Sequence, residues 1–217
     1  MPQHLLSNAD RPDLRVGKRS RAFGQDYHPT MVDRFGVWLS ARQIRKCVGS
    51  FHRKAVGDFG CGYHATFVRS VLPELERAVL IDSSIADDLK AKHNVMAIEG
   101  AIPEVLQQVP TDSLDVVLCI SVLEHLWNPE EAIEECYRIV RPGGVCMINV
   151  PSWRGKWFLE FSAFRLGLSP VDEIKDHKTY YDEKDLRPLL LQSGFRPHNI
   201  QCFSHKFGLN TFAVCNK

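Results

Sequence analysis

Asp58-Phe59-Gly60-Cys61-Gly62 and, twenty positions beyond Gly62, Asp82 are the residues of this chain whose types and spacing most directly suggest chemistry. The glycines follow an apolar run, Ala55 to Phe59, and precede a helical pattern of Phe67, Val68, Val71 and Leu72. In that position glycine lets the backbone approach a ligand closely and aims free N–H groups at it. Asp82 stands directly after a second apolar run, Ala78 to Ile81, where a carboxylate can accept from both hydroxyls of a ribose. Each such charge-assisted bond contributes roughly 1.5 to 3 kcal/mol. Together the two features define a nucleoside-binding crevice without naming the nucleoside.

Gly60-Cys61-Gly62-Tyr63-His64-Ala65 also satisfies G-x-G-x-x-[GA], the dinucleotide fingerprint, so an NAD-dependent oxidoreductase is a competing reading. Asp58, two residues before the first glycine, is a poor neighbour for a pyrophosphate and a suitable acceptor for a cationic amine. A non-catalytic relative that keeps the pocket as a structural or regulatory module is a third reading, with His64 as its warning sign.

The elements that must carry these residues are those of an α/β domain. From Ala55 onward short apolar runs alternate with helical patterns, the signature of a mostly parallel sheet with helices on both faces. The expected strands are Ala55 to Phe59, Ala78 to Ile81, Val95 to Ile98, Leu114 to Ile120, Val145 to Val150, Asn199 to Phe203 and Thr211 to Cys215. No long helix separates the last two, which predicts an antiparallel hairpin at the sheet edge. Before the sheet, Val37, Ala41, Ile44 and Val48 recur at helical spacing, with Phe35, Trp38 and Leu39 broadening the apolar face. That helix would pack on the sheet or cover its cleft. A further helix starts at Asn128, its expected cap, and Pro129, buries Ile133, Cys136, Tyr137 and Val140, and is stopped by Pro142-Gly143-Gly144. Asp185, Leu186, Leu189 and Leu190 form a last helix ending at Gly194, with Pro188 an awkward fit unless that helix begins late.

Asp115-Val116-Val117-Leu118-Cys119-Ile120-Ser121-Val122-Leu123-Glu124-His125-Leu126, followed by Asn128-Pro129 and Arg141-Pro142-Gly143-Gly144, resembles the fourth and fifth strand segments of class I S-adenosylmethionine-dependent methyltransferases. The stretch from His177 to Phe195 is similar to that family's H-x-x-x-Y … L-x-x-L-L-x-x-x-G-F segment, and the reversed last strand also fits. The chain looks most like the small-molecule branch called type 11 or type 12. The resemblance covers about Ala55 to the C-terminus. It implies a Rossmann-like seven-stranded sheet and S-adenosyl-L-methionine as cofactor, with S-adenosyl-L-homocysteine as product. It further implies that Gly60, Cys61 and Gly62 face the methionine moiety, that Asp82 takes the ribose and that Ser83 and Ile102 flank the adenine. Ala101 would offer its backbone N–H to the ring, and Ser121 would lie near the methionyl group. Gly100-Ala101 lacks the Asp that often follows this Gly, which leaves the adenine held more by apolar contact.

Methyl transfer from a sulfonium is an in-line displacement in which alignment does most of the work. A hydroxyl or ammonium acceptor also needs a base, and His125, past the fourth strand, is the first candidate, with a structural role at the helix start as its alternative. Trp153, His177, Tyr180 and Tyr181 belong to an aromatic stretch after the fifth strand that reads as a lid-like insertion at about 153–182 shaping an acceptor pocket, or as a satellite core. The expected division is an N-terminal arm and helix over 1–50 and a catalytic domain over 51–217.

A net charge of +1 advertises no nucleic-acid partner, so the expected partner is a small-molecule acceptor. Arg11, Arg15, Lys18, Arg19 and Arg21, interleaved with Asp10 and Asp13, read as a solvated arm. No apolar run approaches the roughly 18 residues needed to span a bilayer, and the start lacks the apolar segment of a signal peptide. A cytoplasmic protein without membrane insertion is expected. The seven cysteines make no C-x-x-C pair or zinc-type cluster and read as reduced, mostly buried small hydrophobes.

Overall fold

The computed structural model describes residues 22–25, 30–157 and 178–217. Its centre is a seven-stranded sheet in the order β3-β2-β1-β4-β5-β7-β6. The strands are β1 (Ala55–Phe59), β2 (Arg77–Asp82), β3 (Val95–Glu99), β4 (Leu114–Ile120), β5 (Val140–Pro151), β6 (Ile200–His205) and β7 (Asn210–Asn216). β1 to β5 run parallel, while β7 is antiparallel to both β5 and β6. All five residues of β1 are buried, which is why that strand does not alternate apolar with exposed polar positions; Asp58 is its one charged residue.

Two apolar layers cover the sheet. On one face α1 (Met31–Val48), α2 (Thr66–Val71) and α3 (Asp87–Lys90) pack through Ile44, Val68, Val71 and Leu89 onto Val56, Leu80, Leu118, Met147 and Phe212. On the other, α4 (Pro129–Ile139) and α5 (Glu183–Gln192) pack through Ile133, Cys136, Leu186 and Leu190 onto Phe59, Val117, Ile148 and Ala213.

Four local expectations are corrected. The buried face of α1 runs through Ser40 and Ile44, whereas Val37, Phe35 and Trp38 are exposed. Phe35 and Trp38 instead stack on each other at 5.7 Å, with the Arg42 guanidinium 6.0 Å from the Trp38 ring. Asn128 does not cap α4; its amide donates to Glu131 Oε1 at 3.2 Å. Helix α4 already ends at Ile139, and Pro142-Gly143-Gly144 lies inside β5. There it takes up the register shift between the Leu114–Val140 and Val116–Val145 pairs. Helix α5 begins at Glu183 and contains Pro188, which is tolerated because both Pro188 and Lys184, whose carbonyl loses its helical donor, are exposed to water.

Of the seven thiols, those of Cys119, Cys136, Cys146 and Cys215 are buried and all seven are free. Among the described residues no helix is long and apolar enough to cross a membrane. The basic N-terminal residues Arg11 to Arg21, His177 and most of the expected insertion lie outside the described residues.

Candidate functional site

The strand order reverses between β1 and β4, and in open α/β sheets the crevice outside the carboxyl ends at such a point is where ligands bind. The sequence-predicted residues converge there from four neighbouring strands. Gly60, Cys61 and Gly62 leave β1, Asp82 and Ser83 leave β2, Ala101 and Ile102 follow β3, and Ser121 follows β4.

Gly60 and Gly62 have φ of 76° and 71°, conformations that side chains rarely adopt. A Cβ on Gly60 would run into Val122 Cγ2, and one on Gly62 would come 3.2 Å from the Phe23 carbonyl oxygen. The expectation of free N–H groups in this loop is corrected. Gly60 and Cys61 both donate to the Ile81 carbonyl, at 2.7 and 3.1 Å, and Gly62 donates to Asp82 Oδ2 at 2.8 Å. Tyr63 N–H donates to Phe23 O at 2.9 Å, and Ala65 N–H to Gly62 O at 3.2 Å. Such a loop permits close approach but offers a phosphate little to bind.

Asp82 is held by three donors: Gly62 N–H on Oδ2, and on Oδ1 the Ser83 N–H at 2.7 Å and hydroxyl at 3.1 Å. Its carboxylate is thereby fixed at the tip of β2 with lone pairs left for a ligand. The Gly100 N–H donates to Asp82 O at 2.9 Å and ties the turn carrying Ala101 and Ile102 to the same tip. Ile102 packs half-buried against the core.

Asp58 is only 6% exposed, and its strand partners Leu80 and Leu118 place it on the α1–α2 face. Burial first, and the Asp82 charge second, raise its pKa to about 7. Desolvation, followed by the fields of Asp58 and Asp82, likewise pushes the half-buried Cys61 thiol far up, so it is no nucleophile. The crevice therefore carries two carboxylates, one of them pushed by burial toward its neutral form.

Ser121 is exposed at φ 59°, its N–H bound to Asn149 O at 2.7 Å, which turns it out at the end of β4. His125 closes a 3-10 turn just beyond, with its N–H on Val122 O at 2.9 Å. Trp153 and Tyr180 meet at 5.7 Å beside the end of β5, but the Trp153 indole N–H donates to Asp185 Oδ2 at 3.0 Å, anchoring it to the start of α5. Tyr181 is buried in the α4–α5 layer, and that burial raises its pKa to about 12.

Sequence reasoning missed the segment 22–25, whose Ala22 and Gly24 are buried and whose Phe23 carbonyl caps the glycine loop. It also missed four polar residues near the β5 end of the sheet: Ser40, Asn149, His205 and Lys206. Asn149, breaking the apolar run of β5, was the one visible signal.

Fold and site thus define a doubly wound, nucleoside-binding α/β protein whose crevice is acidic. A family model described as a methyltransferase domain matches residues 40–200, and the chain belongs to this family of class I S-adenosylmethionine-dependent methyltransferases. The dinucleotide reading is thereby set aside, in accord with a glycine loop whose N–H groups are already taken.

Curated relatives agree. A Mycolicibacterium smegmatis protein named "Probable S-adenosylmethionine-dependent methyltransferase" is 29% identical over 172 residues, covering 77% of this chain and 60% of its own length. The chain thus spans well under two thirds of that relative. The ubiquinone biosynthesis O-methyltransferase of Pseudomonas putida is 29% identical over 214 residues, with 90% and 85% covered. The crystal structure of a SAM-dependent methyltransferase from Archaeoglobus fulgidus shares the fold, with a TM-score of 0.59, 16% identity, and 83% and 94% of the two chains covered.

Proposed function

We propose that the protein transfers the methyl group of S-adenosylmethionine to an oxygen or nitrogen of a small molecule such as a metabolite, lipid precursor or sugar. The observation that carries this reading is the pairing of Asp58 and Asp82. A buried carboxylate without an ion-pair partner among the described residues is costly, and a bound ammonium is the group that relieves it. Asp82, fixed by its three donors, takes the ribose hydroxyls, and Ser83, Ala101 and Ile102 receive the adenine. The glycine loop lets the methionyl chain lie against the backbone, with Ser121 beside it.

Bound there, the cofactor supplies an electrophilic methyl group on sulfur. The chain's task is then alignment: the acceptor's lone pair forms the new bond to carbon as the carbon–sulfur bond breaks, and S-adenosylhomocysteine leaves. Such positioning can lower a barrier by roughly 7 to 11 kcal/mol. His125, on the turn after β4, takes the proton that an oxygen or nitrogen acceptor releases. Trp153 and Tyr180 bound the acceptor side, and α1 covers the cleft. The P. putida relative, named an O-methyltransferase, favours oxygen.

The test is transfer of labelled methyl from S-adenosylmethionine to a panel of small hydroxy and amino compounds. Label appearing in product, lost in Asp82→Ala and reduced in His125→Ala, supports the reading. Binding of NAD without binding of S-adenosylhomocysteine would end it.

A further inference from the structure

Across the α1–β5 layer from Asp58 lies a second set of polar groups that the cofactor does not use. Asn149 is fully buried, and among the described residues neither its amide nitrogen nor its oxygen has a hydrogen-bond partner. The Ser40 hydroxyl, 4% exposed, and His205 Nε2 are orphaned in the same way. Four such atoms cost free energy in proportion to their desolvation, and native proteins keep few of them.

Topology brings these groups together. Asn149 is registered between Ile120 of β4 and Phe212 of β7, so it points to the α1 face one row above the row containing Asp58 and Leu118. The His205 ring lies 5.3 Å from the Phe212 ring, edge on. On α1 the row Gly36, Ser40, Ile44 faces the sheet, since Ile44 joins the apolar layer containing Met147 and Phe212. At the end of that row Lys206 Nζ is 3.8 Å from where a Gly36 Cβ would stand, so glycine there leaves room for the ammonium.

Lys206 and Phe207 hold left-handed φ of 48° and 61°, a strained turn that directs the lysine under α1. The ammonium forms no ion pair among the described residues. Burial lowers its pKa to about 8, with the Glu124 field opposing, and it stays cationic near neutral pH. Burial and Lys206 lower the His205 pKa to about 4, leaving a neutral imidazole.

Resting on the methyltransferase reading, we infer that this cluster anchors the methyl acceptor, and that the acceptor is a small hydroxylated carboxylic acid with an apolar body. Lys206 and the Asn149 and Ser40 donors receive the carboxylate. Asn149 Oδ1 and the neutral His205 accept from a hydroxyl, because an acceptor-only anion would leave them unmatched. Ile120, Phe203 and Phe212 flank the apolar body. The acidic crevice and this polar cluster adjoin at the end of β4, where donor and acceptor must meet.

The test is calorimetry of hydroxybenzoates, hydroxycinnamates and short β-hydroxy acids, each against its uncharged methyl ester, with and without S-adenosylhomocysteine. The expected result is at least one acid bound about tenfold or more tighter than its ester. Lys206→Met and Asn149→Leu should each weaken that acid at least about tenfold and leave S-adenosylhomocysteine affinity unchanged. Acids and esters bound alike throughout the panel, or variants that keep full acid affinity, overturn the anchor while S-adenosylhomocysteine binding still upholds the cofactor site. Loss of S-adenosylhomocysteine binding alone, with acid binding intact in its absence, overturns the cofactor reading and keeps the anchor. Independently of any ligand, Asn149→Leu should raise the melting temperature of the free protein by ~2–4 °C, as removal of an unsatisfied buried amide does. A lower melting temperature would mark Asn149 as structural and overturn its role.

Discussion

The β1–β2 end of the sheet takes Asp58, Gly60, Gly62 and Asp82 from one short stretch of chain, whereas the β5–β7 end takes Ser40, Asn149, His205 and Lys206 from across most of its length. The first set is acidic and internally bonded, and the second basic or neutral and orphaned. A receptor for a fixed cofactor can be written as a local motif. The acceptor anchor we infer is instead assembled by topology, from residues that have no common spacing.

The contrast is broken most severely at Asp82. Asp82→Ala removes the carboxylate proposed to accept from the ribose hydroxyls, together with the clamp on Gly62, and at roughly 1.5 to 3 kcal/mol per bond should raise the S-adenosylhomocysteine dissociation constant by about a hundredfold or more. Calorimetry checks this, and acid binding at the β5–β7 end should persist.

Asp58→Asn should separate binding from stability. In the free protein the folded state holds the Asp58 proton up to about pH 7, well above the ordinary aspartate value of 3.8. Stability from this group is present below pH ~4 and is lost as pH rises through about 7, on the order of a few kcal/mol. The variant should therefore melt higher than wild type at pH 8 and lose that advantage at pH 4, while binding the cofactor at least about tenfold more weakly. Thermal scans at both pH values decide the sign.

Gly60→Ala forces a Cβ into Val122 at φ 76°, and should cost about 2 to 4 kcal/mol by denaturant unfolding. Gly143→Ala, at φ 78° with nothing within 4 Å, isolates the backbone part and should cost about 1 kcal/mol. The smallest effect belongs to α1: Trp38→Ala, on the exposed side, should change stability by less than about 0.5 kcal/mol, against about 2 to 5 kcal/mol for Ile44→Ala.

That last pair shows why parts of the molecule were illegible in the sequence. β1 and β4 have the limits that their apolar runs predict, because strands buried on both faces leave no choice of register. The α1 stripe holds at Ile44 and Val48 but is shifted in the first half of the helix, where the aromatics pack on each other and on Arg42 while Ser40 faces the sheet. The Pro-Gly-Gly stop signal was read as a helix end because nothing local distinguishes it from a bulge. That Asp58, the glycines and Asp82 lie together is legible because their placement at the ends of β1 and β2 depends on spacing. Phe23 bonds the loop through its carbonyl, which no side-chain pattern can announce. Asn149 broke an apolar run in plain view, but its partners Ser40 and Lys206 lie 109 and 57 positions away and only the sheet order joins them.

The most direct measurement is the affinity of the intact protein for S-adenosylhomocysteine as a function of pH. The charge complementarity between an ammonium and Asp58 predicts binding that strengthens as pH rises from 5 through about 7 and then levels, with this dependence absent in Asp58→Asn. Affinity that is flat across that range, or a pH profile that survives in the variant, would contradict it.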